Sequence, residues 1–425
     1  MIMLKRGERK TKVLLVAASG LLLLGCLALV LAQRQRRVTV QERAATRAAR
    51  TFTLKAGDDF QKALDAAQYG DTIILTAGAS FTGPFTLPRK PDNPSTGDGY
   101  ITVRTSTPAT MLPTEQQRIT PSHSALLPKL LSPGQGQPAL RTTAGAHHFR
   151  FIGIEFSSVS ADSQLYELIT LGDYGTNQDT LSEVPHHLTF DRCFIHAFPA
   201  QSLKRGIELN SAHTEIINSH LSGFKVIGQE AQAILGWNGP GPFRIENNYL
   251  EAAGENVMFG GADPSIPQLV PSDISVRRNH LTKPLAWREG DAAYGGVHWT
   301  VKNLFELKNA RRVVMEGNIL EHSWADAQAG FAIVLSPLSQ GGAAPWSVVE
   351  DVEIRNNIIR HAASAIQTKY YHTSLKRVKI INNLFEDING DKWAWQGASA
   401  GHFLQGDGVE GLEVSHNTIL HTGTL

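Results

Sequence analysis

One eight-residue phrase recurs along this chain and leaves few folds open to it. Written as apolar, any, apolar, any, any, Asn, any, apolar, it reads F-R-I-E-N-N-Y-L at 243–250 and I-S-V-R-R-N-H-L at 274–281. It returns as V-V-M-E-G-N-I-L at 313–320, V-E-I-R-N-N-I-I at 352–359, V-K-I-I-N-N-L-F at 378–385 and L-E-V-S-H-N-T-I at 412–419. Three earlier copies keep the apolar frame without the Asn and centre on Ile154, Cys193 and Ser219. Alternation inside each copy means a strand with one buried face. Equivalent positions 26 to 39 residues apart mean stacked coils rather than separate domains, with loops of different length inserted between strands. A leucine-rich horseshoe needs a tighter Leu/Asn frame, and a propeller needs four strands per unit. The expected fold is all-β: a parallel β-helix with about three strands per turn.

Stacking at about 4.8 Å turns the Asn column into a ladder, each amide donating to the next carbonyl. The left-handed backbone of a sharp corner is expected at these Asn residues. Glu246, Arg277, Glu316 and Arg355 share one outward register and should form an alternating-sign surface ladder. Cys193 reads as a small buried hydrophobe. Ahead of the repeats, Asp58-Asp59 followed by apolar residues at helical spacing predicts a short capping helix, and Thr72–Leu75 a first strand. Residues 84–138 hold ten prolines and read as a long loop over the first coils, a candidate groove wall.

The N-terminus is organised differently. Residues 1–12 are basic, 13–32 are uninterruptedly apolar or small, and 33–51 form a basic linker. Twenty residues span roughly 30 Å as a helix, so a retained signal anchor is the expectation. Val30-Leu31-Ala32 leaves cleavage open, and Leu23-Leu24-Gly25-Cys26 resembles a bacterial lipoprotein box. Each alternative puts the body, 52–425, outside the cytoplasm, in the cell envelope or secreted. Residues 1–50 carry 11 of the 40 Lys/Arg and 2 of the 39 Asp/Glu, which leaves the body 29 basic and 37 acidic residues, a charge of −8. That speaks against a nucleic-acid partner. Two Cys exclude a disulfide framework. The chain reaches Leu425 soon after the last repeat, so a coil or cap beyond it is expected.

The capping helix, the Asn ladder and the inserted loops resemble the pectate-lyase-like right-handed parallel β-helix superfamily over about residues 52–425. That superfamily includes lyases, hydrolases, esterases and phage tailspikes, so the resemblance specifies fold more than function. The Asp motifs of polygalacturonases and pectin methylesterases are missing, as is the Trp-Ile-Asp-His strand of pectate lyases. Lys302–Arg312 is similar to the Lys-bearing strand and turn of chondroitinase-B-like and alginate lyases, in which a Lys is the base. The acidic pair that binds calcium there falls near Val301 and Asn303, so no calcium ligand set is assigned.

Alternation puts Phe305 and Leu307 inward and Lys302, Leu304, Glu306 and Lys308 outward. Elimination across a uronate needs a cation against the carboxylate, a base of lowered pKa and a proton donor. Lys308 as base, Arg311 as clamp and His298 as acid fill those roles, with a solvated basic turn as the structural alternative. Lys302, Glu306, Trp299, Trp324, Asp326, Gln328, Tyr370 and Tyr371 are candidate substrate contacts, the aromatics because flat rings stack on sugars. The alternative for the rings is burial at coil edges. Asp387 and Asp391 near Trp393 are the pair a hydrolase would use. His147-His148 and His186-His187 stand before equivalent strands, but no carboxylate or Cys completes a set, and no metal site is assigned. The expected protein is a monomeric, membrane-anchored or secreted polysaccharide binder, either a lyase or a non-catalytic adhesion module.

Overall fold

A computed structural model describes residues 47–91, 99–371, 373–394 and 401–423. The apolar run 13–32, Trp395 and Leu425 lie outside the described residues. Among the described residues no helix is long and apolar enough to cross a membrane.

The repeats wind as expected. The described strands form three parallel sheets of 12, 11 and 10 strands, visited in that order along each coil. Ala212–Ile217, His220–Phe224 and Gln232–Gly236 make one coil, and Phe243–Glu246 begins the next. Ile216, Ile245, Val276, Met315, Ile354 and Ile380 follow one another in register across the 12-stranded sheet, each fully buried. Each such side chain contributes about 1.5–3 kcal/mol of burial. Phe151 and Phe190 stack at 5.2 Å in an earlier part of the same column.

The Asn ladder closes the corner between the 12- and 11-stranded sheets. Asn248 N donates to Asn279 Oδ1 at 2.9 Å, Asn279 N to Asn318 Oδ1 at 2.9 Å, and Asn318 N to Asn357 Oδ1 at 2.9 Å. The pattern continues through Asn383 to Asn417. Ser219 extends it backwards, accepting from Cys193 N through its hydroxyl. Cys193 is buried, and burial pushes its thiol up to about 12. The left-handed residue is not the ladder Asn but its predecessor: Asn247 (φ 55°), Arg278 (52°), Asn356 (56°) and Asn382 (53°). The ladder residue is thereby turned inward, where its amide has only protein partners.

In the surface ladder Glu316 pairs with Arg277 at 3.5 Å and Arg355 at 3.1 Å, whereas Glu246 pairs with Arg244 and Arg278. At the N-terminal side Asp59 caps the helix Phe60–Ala66, accepting from Lys62 N at 2.9 Å. A strand the sequence did not signal, Thr51–Leu54, precedes that helix and pairs with Thr72–Leu75. The loop reading of 84–138 needs correction. Phe85–Leu87, Ile101–Thr105 and Lys129–Ser132 are strands of the first coils. The intervening stretch is a loop, pinned by Leu112, Ile119 and Leu127 against Phe194.

Candidate functional site

The strand carrying Lys302–Lys308 departs from simple alternation. Asn256 N and Val257 N both donate to Leu304 O, at 3.1 and 3.2 Å, the signature of a bulge. Leu304 and Phe305 therefore both enter the core, and the outward expectation for Leu304 is overturned. Glu306 does face outward but is buried, accepting from Asn303 Nδ2 at 3.2 Å and Ser336 Oγ at 3.1 Å. Lys308 lies 3.7 Å from Glu306, and Lys302 pairs with Glu230 and sits 3.7 Å from Glu255. For Lys302 burial opposes the charge, yet the Glu255 and Glu230 carboxylates prevail and hold its pKa above the usual lysine value. Burial and the Glu306 and Glu230 charges push Glu255 up to about 7. Glu208, two coils earlier, is pushed to about 8 by burial and Glu167. These groups form a charged band on the outer face of the 10-stranded sheet, continued by Arg205–Glu167 at 2.5 Å.

The three residues expected to act together have separate partners. Lys308 engages Glu306. Arg311 stands on the 12-stranded sheet, exposed, with its Nε on Ser272 Oγ at 3.1 Å. His298 holds Asp326 at 2.6 Å, and the other Asp326 oxygen accepts from Val301 N. That contact joins two candidate residues and fixes the loop that carries Trp299. Gln328 is half-buried, its carbonyl accepting from Asp326 N at 3.0 Å. Trp324 is buried with Trp287, Trp299 and Val301, so coil-edge burial is the better account of that ring. Tyr370 and Tyr371 are exposed after the strand Ser364–Thr368. Asp387 is engaged by Lys392, His361 and the Trp393 indole.

A cleft assembles instead over the 11-stranded sheet. Its volume is about 680 Å³, and its lining includes His220, Lys225, Glu251, Trp287, Trp299 and Pro121. Two walls come from insertions: residues 283–304 bring both tryptophans, and the proline-rich segment brings Pro121. Lys225 projects between the tryptophans, its Nζ 5.8 and 5.2 Å from the ring centroids of Trp287 and Trp299. The ammonium also donates to Gly223 O at 3.0 Å and Phe198 O at 3.3 Å. Burial lowers its pKa to about 8, against the opposing pull of Glu251. Glu251 accepts from Tyr249 Oη at 2.9 Å and from Gly223 N at 3.0 Å, but burial outweighs both and raises its pKa. His220 stacks on Tyr249 at 4.3 Å and is lowered to about 4, chiefly by burial. The site thus brings together a largely buried lysine of lowered pKa, a carboxyl of raised pKa, a neutral imidazole and two indoles that expose only a small part of their surface. Such perturbed groups in one cleft mark a functional-site candidate. Sequence reasoning reached Trp299 but missed Lys225, Glu251 and Trp287.

Fold and cleft together define a parallel β-helix protein with a cleft on its flank. Among solved structures, a Geobacillus virus E2 protein, ORF18, aligns with 92% of this chain and 63% of its own at 10% identity, TM-score 0.52. The catalytic domain of a GH87 alpha-1,3-glucanase in complex with tetrasaccharides aligns over 88% and 66%, at 11% identity and TM-score 0.50. An alginate lyase from Paenibacillus aligns over 88% and 98%, at 15% identity and TM-score 0.43. No family profile matches the sequence, and no curated protein matches it. The fold is a parallel β-helix, the architecture that the sequence resemblance implied.

Proposed function

We propose that this protein binds an acidic polysaccharide, outside the cytoplasm, in the cleft between Trp287, Trp299 and Glu251. The observation that carries the reading is Lys225, a cation held between two indoles in a cleft large enough for a short glycan segment. Indole faces supply apolar area to sugar rings, and the ammonium supplies a partner for a uronate carboxylate. Glu251 lies at the same cleft, its two oxygens held by Tyr249 Oη and Gly223 N. The basic residues 1–12 and the apolar run 13–32 support export to the envelope. The glucanase that shares the fold is itself solved with tetrasaccharides.

Elimination is the second reading, favoured by the Lys225 pKa of about 8, suited to a general base. One lysine cannot be both carboxylate clamp and base, so the cleft as built supports capture better than cleavage. Affinity measurement on alginate, pectate and glycosaminoglycan chains tests the first reading. Lys225→Met with Trp299→Ala should abolish binding, and unchanged affinity in that double variant would overturn it. Absorbance of unsaturated uronate tests the second. If turnover appears, its loss in Lys225→Met places the base in the cleft, and its loss in Lys308→Ala places it on the charged band.

A further inference from the structure

Two consecutive histidines on a regular strand point to opposite faces and cannot share a ligand. Here they do not lie on a regular strand. His148 has φ 61° and His187 has φ 55°, and in both coils this left-handed residue turns the second imidazole back beside the first. The strand pairing shows the same irregularity: His186 opposes His147 and Leu188 opposes Phe149, with 187 and 148 left out of the ladder. In consequence Nδ1 of His147 lies 2.7 Å from Nδ1 of His148, and Nδ1 of His186 lies 2.7 Å from Nδ1 of His187. The two pairs then stack, His147 on His186 at 4.6 Å and His148 on His187 at 4.5 Å between centroids, nearly parallel. His213 continues the second column at 4.5 Å.

We infer that His147, His148 and His186 form a binding site for a divalent transition-metal ion of the zinc type on the outer face of the 12-stranded sheet. One ligand nitrogen from each of the three lies within 4.8 Å of the others. A tetrahedral ion with bonds of about 2.0–2.1 Å needs nitrogens about 3.3 Å apart. The observed separations, 2.7 Å within a pair and no more than 4.8 Å across the set, bracket that edge, so closure needs only sub-ångström ring movements. An outer-shell contact is in place. His147 Nε2 lies 3.2 Å from Lys90 O, a contact that orients the ring. Tyr69 Oη lies 3.2 Å from the same ring. His187 and His213, which continue the second column, line an adjoining groove of about 500 Å³. The sequence found no carboxylate or Cys to complete a set with the two pairs, and the stacked geometry gathers three ligand nitrogens from the histidines alone.

The test titrates the full protein with zinc by calorimetry and with cobalt by visible absorption. The expected result is one saturable site with the d–d bands of nitrogen-coordinated tetrahedral cobalt. His148→Ala and His186→Ala should each weaken binding by at least about tenfold, while His123→Ala, on a distant loop, leaves it unchanged. Far-ultraviolet circular dichroism establishes that each variant keeps the β-helix. Absence of saturable binding to wild type, or identical titrations for wild type and a folded His148→Ala, His186→Ala double variant, overturns the site and leaves an aromatic stack.

Discussion

Replacing Asn318 by Ala probes the ladder at its most interior point. Asn318 is 1% exposed and makes four side-chain hydrogen bonds. Its Nδ2 donates to Val276 O and Asn357 Oδ1, each at 2.9 Å, and its Oδ1 accepts from Asn279 N at 2.9 Å and Asn279 Nδ2 at 3.1 Å. After truncation Asn279 Nδ2 still has Ile245 O, and Asn357 Oδ1 still has Asn318 N. Asn279 N loses its acceptor, whereas Val276 O stays in the parallel ladder with the strand Ala310–Glu316. An orphaned buried group costs about 1–3 kcal/mol, so the substitution should destabilise by about 1–3 kcal/mol. A solenoid need not unfold in one step, so the sharper assay is local. Hydrogen exchange at the Asn279 amide should accelerate by about 5- to 150-fold, the kinetic equivalent of 1–3 kcal/mol. Asn417→Ala, at a half-buried rung, should cost clearly less. Unchanged protection at Asn279, or equal losses at the two rungs, would refute the reasoning.

Three further outcomes are expected. Lys283 is fully buried and donates to the carbonyls of Ala252, Ala253, Gly254 and Asn303, so Lys283→Met should destabilise by on the order of 3 kcal/mol in chemical denaturation. Burial lowers Lys225 to about 8 in the folded state, so the unfolded chain binds the extra proton between about pH 8 and the free-lysine pKa near 10.4. Stability should therefore rise across that window in wild type relative to Lys225→Met, and parallel pH profiles for the two proteins would contradict the assignment. Glu208 is raised to about 8, so there the folded state holds the extra proton and stability falls from about pH 4.5 to 8. Glu208→Gln should gain on wild type progressively through that range in thermal melts.

The coil was legible because each copy repeats the same local problem and solves it with the same residues. Nine anchor positions, three of them without Asn, all fell on the corner between the same two sheets. Errors arose where backbone geometry broke the period. The bulge at Leu304 reversed one residue's facing, and the left-handed corner sat one place earlier than residue preference alone suggested. The cleft was harder to read. Glu251 holds an ordinary strand position and Lys225 directly follows a strand, and what makes them unusual is the wall brought over them by residues 283–304, distant in sequence. A lone Lys directly after a strand of the 11-stranded sheet, as at 225 and 283, is the one local signal that was available. The charged run 302–312 looked concentrated in sequence, yet a turn between two sheets divides it.

Because each ladder rung pins the coil before it to the coil after it, the two ends of any insertion are held in place whatever lies between them. The entropic penalty for lengthening such an insertion grows only with the logarithm of its length. Segment 283–304 is thus an exchangeable part: its replacement should alter what the flank recognises while the stacked barrel beneath keeps its shape. A lineage of such chains could diversify its targets by swapping walls, with the asparagines as fixed joints.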